Sequence, residues 1–298
     1  MSQRSGQDSA GQGSAGLRAR AEAVGGGLPA LMLSAERLAA SLTAGAHGQR
    51  RPGSGEDFWQ YRPAHDGDSA RSIDWRRSAR SDGQFVRDRE AQVAQSAVLW
   101  ISAAAGMDYA GGADRPTKRA RCDLLALAVA LALLAGGERV ALAGQPPRPG
   151  RVQADRIAEA LVARATLPGD DDAPPAEALR PGQRVLLFDD CLGDPAPLLA
   201  YLDRAAAMGV RGALLQVLDP DEESFPFDGA VLFRSASGAL SHDTRDAGGL
   251  RAAYLARLAE RRELMGRAAL AAGWHFGSHD TATPPATPAL WLWSVLEG

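Results

Sequence analysis

The chain has 298 residues, 33 lysine plus arginine against 36 aspartate plus glutamate, a formal net charge of -3, and 45% hydrophobic residues. A chain of this size and composition buries roughly 75% of its unfolded surface, and its near-neutral charge argues against both a polycation that coats nucleic acid and a strongly acidic solvating chain. Two cysteines, Cys122 and Cys191, without a Cys-x-x-Cys pair, exclude a disulfide scaffold and a zinc ribbon.

Residues 1–27 are polar and Gly/Ser-rich with no signal-like apolar stretch, and read as a disordered leader. Apolar spacing over 28–42 (LPALMLSAERLAASL) predicts an amphipathic helix that needs a docking partner. Residues 45–89 turn to Gly, Arg, Asp and aromatics without helical period, which predicts an irregular, partly β subdomain. A buried strand is expected over 97–102 (AVLWIS), then a helix over 118–135. The longest apolar run lies within that helix at 124–135, far short of the ~20 residues of a membrane span. The helix opens on Lys118, the one lysine in the chain; arginine-favouring codon usage fits that as readily as any binding role, so it carries no functional weight here.

Strand 139–142, helix 154–165, a Pro- and acid-rich loop at 170–181, strand 184–189, helix 196–208, strand 211–218, strand 230–233, helix 250–272, strand 274–277 and helix 285–296 complete the pattern. Strands alternating with helices imply right-handed crossovers and a doubly wound, largely parallel α/β sheet. The expected domains are a leader at 1–27, a helix plus Arg/Asp-rich region at 28–95, and an α/β domain at 96–298. Sites in such sheets lie beyond the carboxyl ends of the strands, here at 102–108, 189–190, 219–223 and 278–281. Neither a P-loop nor a Gly-x-Gly-x-x-Gly turn follows a strand.

Within 53–90 (GSGEDFWQYRPAHDGDSARSIDWRRSARSDGQFVRDRE), Tyr61, Arg62, Gly67, Asp68, Arg71, Ile73, Asp74, Trp75, Ala79 and Arg80 stand at the spacing of a signature. The chain strongly resembles the bacterial domain-of-unknown-function family 58, whose members carry a von Willebrand factor A-like domain and are usually encoded beside MoxR-type AAA+ ATPases. The likeness extends to 28–42, 214–229 and 273–281. Between Arg62 and Glu90, seven arginines meet six acids, too balanced for a phosphate-binding stripe. Asp68 and Asp74 with Arg71, Arg76 or Arg80 suit a bidentate structural lock, with a partner-docking surface as the alternative.

The resemblance also implies a divalent cation, with Asp-x-Ser-x-Ser after the first sheet strand. The stretch here is ISAAAGMD: Ser102 stands at the Asp, Ala104 at the first Ser and Gly106 at the second, while Asp190 matches an acidic position many members keep. The expectation is a degenerate, metal-free site without a cofactor, in a cytoplasmic, non-enzymatic interaction protein that partners a MoxR-type AAA+ ATPase or another protein, with no nucleic acid and no membrane insertion. The rival is a Mg2+- or Ca2+-dependent adhesive or hydrolytic domain using Asp108, Asp189, Asp190 and His279. A third reading is a nucleic-acid binder working through 62–89. His279 beside Asp280 and Thr281 invites a catalytic role, but helix capping suits this stretch better. Cys122 and Cys191 read as core or edge residues.

Overall fold

Apolar runs without alternation belong in strands buried on both faces, and the computed structural model places four of them side by side. It describes residues 27–43, 58–63, 75–78, 85–89, 96–164, 173–234 and 241–297. The chain divides into two units, Met1–Gly45 with Gln95–Gly298, and Ala46–Ala94.

The larger unit is built on a five-stranded parallel sheet of β3 (Ser96–Ile101), β4 (Arg139–Leu142), β5 (Gln183–Asp189), β6 (Arg211–Leu218) and β9 (His275–Asp280), in the order β4-β3-β5-β6-β9. Successive side chains of a strand point to opposite faces. Thus Leu99 and Ile101 join Leu186, Phe188, Leu215 and Val217 in one core, and Val98 and Trp100 join Val185, Leu187 and Leu214 in the other. The first face is covered by α3 (Lys118–Ala135), α4 (Arg151–Arg164) and α8 (Ala286–Glu297), the second by α5 (Ala196–Ala207) and α7 (Arg251–Ala271). This is the doubly wound sheet expected of a von Willebrand A-like domain.

Helix α3 is buried all round, from Leu125 to Ala130 without a break, as its lack of a polar face requires. The amphipathic helix at 27–43, α1, finds its docking partner here: Ala35, Leu38, Ala39 and Leu42 belong to the first core, and Glu36 pairs with Arg151 of α4. The structure therefore groups α1 with the sheet and not with the signature region. Each buried Leu of this kind contributes about 1.5–3 kcal/mol. No helix among the described residues is long and apolar enough to cross a membrane.

Two differences from the sequence reading have simple causes. Strand β7 (Val231–Arg234) is not in the main sheet; it pairs antiparallel with β8 (Ser241–Thr244), whose sequence SHDT carries no apolar signal. A one-turn helix, α6 (Pro220–Ser224), was hidden by its length, although its capping box of Asp219 and Glu222 is written in the sequence. Next to it Phe225 stacks on Phe233 and packs against Phe227 and Tyr254.

In the smaller unit, β1 (Phe58–Pro63) and β2 (Phe85–Arg89) form an antiparallel hairpin, with Tyr61 opposite Arg87 and Arg62 opposite Val86. A four-residue helix, α2 (Trp75–Ser78), carries Trp75 and Arg76, both exposed. Gly67, Asp68, Arg71, Asp74 and Arg80 lie outside the described residues, as do residues 1–26 of the leader, residues 170–172 of the 170–181 loop and the proposed carboxylate–arginine lock.

Candidate functional site

The chain runs β3, α3, β4 to one side of β3, then returns through α4 to β5 on the other. The winding reverses between β3 and β5, and such switch points are where open sheets bind ligands. Four degenerate positions lie there. Ser102 follows β3 and prolongs its pairing through an N–H donated to the Phe188 carbonyl at 2.9 Å. Asp190 follows β5, and a Cβ built on Gly106 would lie 3.1 Å from its Oδ2. Ala104 donates its N–H to Ser102 Oγ at 3.3 Å.

The cation that meets Asp190 at this edge is Lys118. Its Nζ lies 2.7 Å from Asp190 Oδ2 and 2.6 Å from Glu222 Oε1, and the side chain is 0% exposed. Burial alone lowers an ammonium's pKa, but the two carboxylates outweigh it and hold Lys118 above the ordinary lysine value, so it stays charged. Sequence alone gives this residue no functional weight, yet the only lysine of the chain is the cation at the switch point. Two signals for it were present. One is its uniqueness, and the other is the basic stretch KRAR on the first turn of a helix, where the macrodipole disfavours positive charge unless acids face it.

Those acids come from neighbouring loops. Arg119 binds Asp108 through Nε at 2.6 Å and donates to the carbonyls of Ser102, Ala103 and Ala104, pinning the loop that lacks its metal ligands. Arg115 bridges Asp219 at 3.1 Å and Asp221 at 3.0 Å. Buried Asp219 also accepts from Gly111 N and Thr281 Oγ1. Asp189, hydrogen-bonded by Ser102, is held well above the usual carboxylate range by burial and by the adjacent Asp190 charge. A cavity of about 20 Å³ beside Ser102, Asp189 and Asp190 has room for roughly one water.

The rival set of Asp108, Asp189, Asp190 and His279 is not one ligand shell. Among the described residues no three His, Cys, Asp or Glu are arranged to hold a metal. His279 is buried, with Nε2 2.8 Å from Arg121 and Nδ1 3.0 Å from Thr283 Oγ1. Arginine can only donate, so Nε2 accepts and Nδ1 carries the proton. Burial and the guanidinium hold this imidazole down to about 4, which leaves it neutral. Asp280 Oδ1 accepts from the N–H groups of Ala282 and Thr283 and so closes the turn after β9; both lie ahead of α8, so these bonds do not cap that helix as the sequence suggested. His279 and Asp280 line a cleft of about 550 Å³ with Ser278, Pro288 and Trp291 beside β9. Burial pushes the thiols of Cys122 and Cys191 well above their ordinary range, away from nucleophilic thiolate.

With Lys118 in place, the donor set does not fit a divalent cation: the positions of two hydroxyl ligands carry no oxygen, and an ammonium takes up the acids. The fold and this edge define a parallel α/β domain whose carboxyl end is closed by its own ion pairs. The chain belongs to the DUF58 family, described as protein of unknown function, whose pattern matches residues 60–264. No curated protein matches it. Among solved structures it is similar to an aerotolerance-related membrane protein of Bacteroides fragilis, with 13% identity, a TM-score of 0.42, and coverage of 68% of this chain and 98% of that one. It is also similar to the conserved hypothetical protein BatB of Bacteroides thetaiotaomicron, with 12% identity, a TM-score of 0.40, and coverage of 68% and 97%.

Proposed function

We propose that this protein is a non-enzymatic, cytoplasmic interaction module that acts as an adaptor or assembly factor with a MoxR-type AAA+ ATPase. The ATPase comes from the resemblance stated above. The observation that carries the rest is the closed edge: Lys118, Arg115, Arg119 and Arg121 neutralise acids and carbonyls at the place where a metal-bridged ligand or a catalytic group would sit. Recognition then falls to the protein surface. Trp75, 57% exposed on α2 within the family signature, suits it, because exposed tryptophan is the side chain most enriched at interface hot spots.

The test is a pull-down of tagged protein from its native host, with and without ATP and EDTA, beside a Trp75→Ala variant. The expected result is an AAA+ ATPase whose recovery depends on nucleotide, is indifferent to EDTA and falls in the variant. Recovery of no ATPase, or of partners released by EDTA, overturns the proposal.

A further inference from the structure

Lys118 is the only lysine among the chain's 33 basic residues, and it is fully buried at the reversal of the sheet. The two residues are not interchangeable at such a point. A guanidinium is a broad planar fork, whereas an ammonium is a compact charge with three donors on a thin stem. Two carboxylates from different loops converge on Nζ, Asp190 after β5 and Glu222 in α6. Behind Asp190 stand Ser102 and Asp189, and the backbone of Gly106 is so close that a serine there would press on Oδ2 of Asp190.

Hard oxygen donors from separate loops around one central positive charge are the surroundings of a Mg2+ ion. The central charge here is covalent. We infer that the Lys118 ammonium is a built-in replacement for the divalent cation, which leaves the carboxyl edge permanently loaded and independent of metal supply, and that the carboxylates retain the capacity to bind a cation once the side chain is removed. The inference does not depend on an ATPase as partner, so a failed pull-down leaves it standing.

Lys118→Ala opens the space, and Lys118→Met fills it with an apolar plug as a control. About 1 mM Mn2+ is expected to raise the melting temperature of Lys118→Ala by roughly 5 °C or more, reversibly with EDTA, and the bound ion is counted by electron paramagnetic resonance. Wild type and Lys118→Met are expected not to respond. If Lys118→Ala folds only with metal present, recovery of its structure on adding Mn2+ is the same positive result. Lys118→Ser, which keeps both carboxylates and leaves a hydroxyl in the space, serves where Lys118→Ala does not fold at all. Failure of both Lys118→Ala and Lys118→Ser to respond to Mn2+ or Mg2+ overturns the inference, and so does stoichiometric binding of a divalent cation by wild type.

Discussion

Lys118 Nζ lies 2.7 Å from Asp190 Oδ2 and ties the first turn of α3 to the loop after β5. Removing one member of a buried pair leaves the other charge without compensation. Lys118→Met is therefore expected to cost about 3–5 kcal/mol, seen as a lower urea midpoint at unchanged slope. A loss below about 1 kcal/mol, the range of exposed pairs, contradicts a buried ammonium.

Arg119 and Asp108 form one ion pair with unequal consequences. The side chain of Arg119 is 6% exposed and that of Asp108 is 58% exposed. Arg119→Met also strips three loop carbonyls of their donor and is expected to cost about 3 kcal/mol. Asp108→Asn is expected to cost less than about 1 kcal/mol. Equal costs in denaturant unfolding would place the energy in the pair and not in the carbonyls.

His279 makes a pH prediction whose sign follows from proton counting. Its folded value of about 4 lies below the ordinary ~6.5, so the unfolded chain binds more protons between them and stability is lost as pH falls through that window. The loss is about 3 kcal/mol by pH 4. Asp123, raised to about 6 by burial, has the opposite slope over an overlapping range, because its folded form holds the proton more tightly. The observable is thus a difference: between pH 7 and 4, wild type is expected to lose about 3 kcal/mol more than His279→Gln. Parallel profiles contradict a neutral, buried imidazole.

Two glycines of the sheet differ in what surrounds them. A Cβ on Gly212 would meet the Val185 carbonyl oxygen at 1.9 Å, whereas one on Gly277 would meet the Trp291 ring at 2.9 Å. Backbone cannot yield without breaking the β5–β6 ladder, while a ring can turn. Gly212→Ala is expected to cost more than about 3 kcal/mol, and Gly277→Ala about 1–2 kcal/mol, in thermal or urea unfolding.

Strands β3, β5 and β6 were legible because burial on both faces writes them as unbroken apolar runs. At β9 the reading ran over 274–277, but the strand is His275–Asp280: Trp274 instead anchors the preceding turn through Nε1 to the Val210 carbonyl, and an edge strand tolerates polar residues. The loss of ligands at Ala104 and Gly106 followed from the family resemblance. Their replacement could not, because Lys118 is 72 residues from Asp190 and 104 from Glu222. The basic first turn signals that acids must face it, but which acids, and how deep, is set only when the fold brings those loops together.

Metal analysis of wild-type protein purified without chelator, with Asp190→Ala alongside, tests the central claim most directly. The account predicts far less than one divalent ion per chain in both proteins and a melting temperature indifferent to EDTA. One Mg2+, Ca2+ or Mn2+ per chain in the wild type, lost in Asp190→Ala, would contradict it.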